Sequence, residues 1–130
     1  MSKLQYSESF KAIDKALEAI EAANHDIKAN FTVAAANRVY YACYYCTTAL
    51  LLTQNVYAKT HQGTRAKFSE LFIKTGIFSA DIAGHIKNAF DLRQEADYDF
   101  DADISKEIAL ALITDTKKLH GLSFTYLRSL

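Results

Sequence analysis

The chain has 130 residues, half of them apolar, with no proline, four glycines and a formal charge of zero. A chain of this length forms one domain and buries roughly two-thirds of its unfolded surface, so its core needs no disulfide or metal staple. The charge balance argues against a protein that coats nucleic acid or an acidic membrane without specificity. The scarcity of turn residues argues against a strand-rich fold.

Taken in chain order, Tyr6, Phe10, Ile13, Leu17, Ile20 and Ile27 recur at helical spacing with Lys11, Asp14, Lys15, Glu18 and Glu21 between them. This predicts an amphipathic first helix of about 20 residues. The pattern fails across Lys28–Thr32, where Thr32 is a candidate cap for a second helix over Val33–Gln54. That helix is apolar nearly all round, with Asn37 and Arg38 its only strongly polar members, so it belongs at the centre of the fold. Asn55 supplies a left-handed stop. Thr60 caps a shorter helix over His61–Thr75 that Gly76 ends, and Ser79 caps a fourth helix over Ala80–Asp99. The segment DYDFDADIS resembles the start of a calcium loop but lacks the glycine and glutamate such a loop requires. It reads as a polar loop with the next cap at Asp103 or Ser105. The last helix runs from Lys106 to Leu127, with Ile108, Leu112, Leu119, Leu122 and Tyr126 as its stripe. The expectation is a single all-α domain over residues 1–130: an antiparallel up-down bundle of four main helices plus one short helix.

One stretch breaks its own pattern. On a helix at about 100° per residue, Ile82, Ile86, Ala89, Phe90 and Ala96 share a face, and Arg93 falls in its middle with Asp97 one turn later. A guanidinium on an apolar face needs an acid, a phosphate or a wet groove. Arg38 on the second helix shares a face with Tyr41 and Tyr45 and raises the same requirement. The arrangement is either an internal Arg–Asp brace or a cleft whose arginines meet an anion, since the planar fork matches phosphate oxygens.

The remaining chemistry is sparse. Cys43 and Cys46 are three apart in an apolar helix without a second pair, and read as buried thiols rather than a redox or zinc site. His61 stands beside Lys59 and Arg65 as a packing residue or a phosphate contact. His85 lies eight residues before Arg93 on the flank of its face, as a structural group or a base. Lys59–Lys74 is basic and Asp91–Glu107 acidic, which makes either two solvated faces or a dipolar surface that orients a partner. No signal peptide is visible in Met1–Lys15, and no apolar run approaches the ~18 residues of a membrane span. A cytoplasmic protein without a membrane contact, metal or cofactor is expected.

The stretches NRVYYACYYCTTALLL, THQG, FIKTGIFS and LRQEADYD, in that order over about Ala29–Asp99, resemble the small stand-alone prokaryotic branch of the HEPN superfamily. The most specific element is RxxADY, here Arg93, Ala96, Asp97 and Tyr98. The resemblance implies a helical bundle, pairing as a homodimer, and coupling to a small nucleotidyltransferase in a two-gene toxin–antitoxin unit. It also implies nucleotide or RNA as the ligand. Many HEPN domains are metal-independent ribonucleases whose signature is Arg, four to six residues, then His. Arg93 matches the arginine, but the three histidine positions hold Tyr98, Asp99 and Phe100. A tyrosine, with a pKa near ~10, is a poor base at neutral pH. The reading is therefore a nucleotide- or RNA-binding module in which Arg93 holds phosphate, Asp97 orients it and Tyr98 lines the cleft, with Arg38 and His61 as further contacts. The rivals are a metal-independent ribonuclease toxin and a purely structural dimerisation protein.

Overall fold

Short links between amphipathic segments leave each helix little choice but to turn back along its predecessor. The computed structural model describes residues 2–130, and these form five α-helices with no strand among them. They are α1 (Lys3–Lys28), α2 (Thr32–Leu52), α3 (His61–Phe68), α4 (Ala80–Tyr98) and α5 (Lys106–Arg128). α2 packs against all four of the others, as its lack of a wet face requires. Val39, Ala42, Cys43, Cys46, Ala49 and Leu50 of α2 are fully buried. They meet Ile13, Ala16, Ile20 and Ala23 of α1 and Leu112, Leu119 and Leu127 of α5 in one continuous core.

The ends show where local chemistry decides. α1 begins three residues before Tyr6, because Ser2 and Gln5 form a reciprocal capping box: Gln5 N donates to Ser2 Oγ at 3.1 Å and Ser2 N to Gln5 Oε1 at 2.8 Å. Thr32 is not a cap but the first residue of α2, behind Phe31, which makes no side-chain cap. The turn between α1 and α2 is made by Asn30, whose φ of 66° is left-handed like that of Asn55 at 59°. Ser105, not Asp103, caps α5, accepting from Ile108 N at 3.1 Å.

Two expectations need correction. The third helix does not run evenly to Thr75. After Phe68 it widens into a π-helical turn over Ser69–Ile73, with Lys74 N donating to Ser69 O at 2.9 Å. Phe68 and Phe72 stack there at 5.5 Å, with Phe78 and Tyr126 closing the cluster. On α5, Ile108 and Leu122 are exposed. The buried stripe is instead Ala109, Leu112, Ile113, Thr116, Leu119, Ser123 and Leu127. Small side chains let α5 approach α2 closely, and the hydroxyls of Thr116 and Ser123 are satisfied within the helix, each donating at 2.7 Å to the carbonyl four residues back.

Candidate functional site

The site is built where α2, α3 and α4 meet. Arg93 comes from the second half of α4, and its side chain keeps only 23 % of its surface. Its guanidinium lies over two rings of α2, 5.0 Å from the centre of Tyr40 and 5.5 Å from that of Tyr41. Nε is 3.1 Å from Asp97 Oδ2, but the angle is too poor for a hydrogen bond, so this buried N–H is electrostatically paired yet not satisfied as a donor. Asp97 sits in the last turn of α4, where the helix dipole disfavours an acid, and that turn contains no base.

His61, the first residue of α3, reaches the same two rings. Its Nδ1 is 2.6 Å from the hydroxyl of Tyr40, and its ring lies 4.4 Å from that of Tyr44 and 5.9 Å from that of Tyr41. Local sequence fixes this placement. Thr60 Oγ1 accepts from Gly63 N at 2.9 Å and starts the helix, and a Cβ at residue 63 would press on that same oxygen at 2.9 Å. The THQG run is thus a cap, an imidazole, a spacer and the clearance that the cap needs. One turn later, Arg65 lays its guanidinium 3.8 Å over Phe90 of α4, with its own buried Nε free of any hydrogen bond.

These neighbours set the proton affinities. Burial, then Arg93, then Arg65 hold His61 below the ordinary histidine value, so the imidazole is neutral at neutral pH. Burial pushes Tyr40 up to about 12, against the pull of Arg93 and Arg65, so the phenol keeps its proton. The result is a half-open surface of two guanidiniums and a neutral imidazole, mounted on a buried aromatic base.

The other candidates fall elsewhere. Arg38 turns towards α1, where Nε is 3.6 Å from Asp26 Oδ2 and the side chain is 57 % exposed. It lines a separate groove with Lys15, Glu18 and Tyr45. Tyr98 is 82 % exposed at the end of α4. It lies about 140° round the helix from Arg93, too far to share its face. His85 faces the core: Nε2 is 2.8 Å from Thr116 Oγ1, and Nδ1 is 3.9 Å from Asp115 Oδ2. Thr116 already gives its proton to Leu112 O, so His85 Nε2–H is the donor of that pair. Cys43 and Cys46 are buried free thiols. Among the described residues no three His, Cys, Asp or Glu side chains gather to hold a metal, and no helix is long and apolar enough to cross a membrane. The sequence sets Arg65 beside His61 as part of a possible phosphate contact but leaves Tyr40 inside an aromatic run, although it belongs to the cluster.

The fold is an all-α bundle whose fourth helix seats an arginine on two aromatic rings of the second. Residues 11–124 match the HEPN domain family, and the chain belongs to that family. It is 38 % identical over 103 residues to a Methanocaldococcus jannaschii protein named "Putative toxin MJ0142", covering 79 % of this chain and 70 % of that one. It is 30 % identical over 105 residues to a UPF0332 protein of Archaeoglobus fulgidus, covering 81 % and 83 %. A UPF0332 protein of Thermotoga maritima is 32 % identical over 84 residues, covering 65 % and 64 %.

Proposed function

We propose that the chain is the RNA- or nucleotide-binding half of a toxin–antitoxin pair, working in the cytoplasm as a homodimer beside a nucleotidyltransferase partner. Arg93 takes a phosphate oxygen, Asp97 holds the guanidinium in place from below, and His61 adds a second contact. The observation that carries this reading is the state of Arg93: fixed over two tyrosines, its Nε turned to Asp97, and the rest of its guanidinium without a hydrogen bond among the described residues. A guanidinium held in place with free N–H groups is ready to donate to an anion without reorganising. The Methanocaldococcus jannaschii relative carries the name "Putative toxin MJ0142". Because the cluster is half-open, it suits a polyanion lying across the surface better than a small molecule enclosed in a pocket.

The test is fluorescence anisotropy with a labelled 12-nucleotide oligouridylate, and with adenosine triphosphate as competitor. Arg93→Ala, checked by circular dichroism to be folded, loses binding if the reading is right. Unchanged binding by that variant refutes it. Metal-free cleavage of the same oligonucleotide, stopped by Arg93→Ala, would move the assignment to a ribonuclease.

A further inference from the structure

The hydrogen bond between Tyr40 and His61 carries more than a contact. Tyr40 is 1 % exposed, and among the described residues its hydroxyl meets a single polar partner, His61 Nδ1 at 2.6 Å. Two arrangements would satisfy that distance. In one, Nδ1–H donates to the phenol oxygen, and the phenol hydrogen is left buried with no acceptor. In the other, the phenol donates to Nδ1, both groups are satisfied, and the imidazole proton sits on Nε2. Interiors avoid the first arrangement because every buried donor must be matched. His61 is itself only partly buried, so its Nε2 is served from the solvent side.

We infer that Tyr40 is a positioning residue that holds His61 as its Nε2–H tautomer, so that a neutral imidazole and the Arg93 guanidinium form a pair of donors for one phosphate group. This rests on the phosphate-binding reading of the site given above and adds a chemical constraint to it. The site offers donors and no free ring lone pair. It accepts an anion that brings its own negative charge, and it takes no proton from a ribose hydroxyl through His61. The other groups facing the imidazole are consistent with this. Arg93 and Arg65 both oppose a second proton on the ring, and Tyr41 and Tyr44 offer it aromatic walls.

The full chain labelled with nitrogen-15 gives the direct test, in long-range proton–nitrogen spectra at pH 7.5, with His61→Gln used to assign the ring. The expected pattern is an unprotonated Nδ1 and a protonated Nε2. A protonated Nδ1 overturns the inference whatever the protein binds. Binding of the labelled 12-nucleotide oligouridylate supplies the second readout. Tyr40→Phe weakens it about three- to tenfold while the protein stays folded, through loss of one neutral hydrogen bond. His61→Gln, whose amide nitrogen can stand where Nε2 stood, stays within about threefold of the parent, whereas His61→Asn loses about tenfold. Equal losses for Gln and Asn overturn the donor geometry. The Nε2–H pattern with binding indifferent to Arg93→Ala overturns the donor pair at its phosphate end and takes the site reading with it.

Discussion

Replacing Arg93 by alanine separates a ligand-binding arginine from an internal brace, because the two roles predict different sizes of effect in different assays. The structural losses can be worked from the contacts. The pair with Asp97 is one helical turn long and 41 % exposed on the acid side, a class worth about 0.3–0.5 kcal/mol. The contacts with Tyr40 and Tyr41 at 5.0 and 5.5 Å are cation–π interactions that still touch solvent, worth about 0.5–1 kcal/mol each. Asp97 is left in water, with no buried-charge penalty to add. Arg93→Ala therefore costs about 1.3–2.5 kcal/mol of folding, a fall in Tm of roughly 4–10 °C for a chain of this size. Binding should suffer more, since a charge-assisted hydrogen bond is worth about 1.5–3 kcal/mol, or roughly 10- to 150-fold in Kd. Urea melts followed by circular dichroism give the first quantity, and anisotropy with the oligouridylate gives the second. A loss of 4 kcal/mol or more in the melts, with unchanged affinity per folded molecule, would refute the reasoning and leave Arg93 as a brace.

Burial holds His85 below 6.5, with Asp115 pulling the other way, so the unfolded chain binds the extra proton more readily. Stability from this group, and from His61, is fully present above about pH 6.5 and falls as pH is lowered through that value. Melts between pH 7.5 and 5 should show the decline, and it should shrink in His85→Asn. Cys43 is fully buried with its thiol pushed up to about 12, so the native protein should not react with a thiol reagent until it unfolds. Gly63→Ala pushes on Thr60 Oγ1 and should cost about 1 kcal/mol of cap stability, visible as a lower urea midpoint. Asn30→Gly relieves a left-handed backbone at φ 66° and should leave stability level or slightly raised, whereas Asn30→Val should lower it by about 1 kcal/mol or more.

The bundle was legible because its signals are local. Apolar spacing marks the helices, and a helix without a wet face has to be α2. Where the reading slipped, a local signal was passed over or none existed. Ser2 and Gln5 spell a capping box in the sequence, and Asn30 is as good a left-handed residue as Asn55. The widened turn after Phe68 has no such mark, since it follows from how Phe68, Phe72 and Phe78 stack in three dimensions. The candidate site divides in the same way. Arg93 announces itself by breaking an apolar face. Its nearness to His61 depends on α3 and α4 both packing on α2, which spacing along the chain does not record. Arg38 looked equivalent on the helical wheel, but the wheel does not say which neighbour covers which flank, and α1 covers that one with Asp26.

On the proposed reading, the missing histidine after Arg93 and the presence of His61 are not interchangeable facts. A base that opens a ribose hydroxyl needs a free lone pair directed at the substrate and a proton affinity matched to neutral pH. His61 is weakened as a base by burial and by two guanidiniums, and its one well-placed lone pair is used on Tyr40. Tyr98, at the position of the absent histidine, is 82 % exposed and stands away from the cluster. What remains is a set of donors fixed on rings that the core itself immobilises, Tyr40 above all. Such a surface is preorganised to hold phosphate and poorly equipped to cut beside it. Restoring a histidine by Tyr98→His is then the informative gain-of-function experiment. It puts an imidazole at the family's spacing but about 140° round the helix from Arg93 within one chain. Cleavage should therefore stay at background in a monomeric preparation, and activity there would show that donors and base need not share a face.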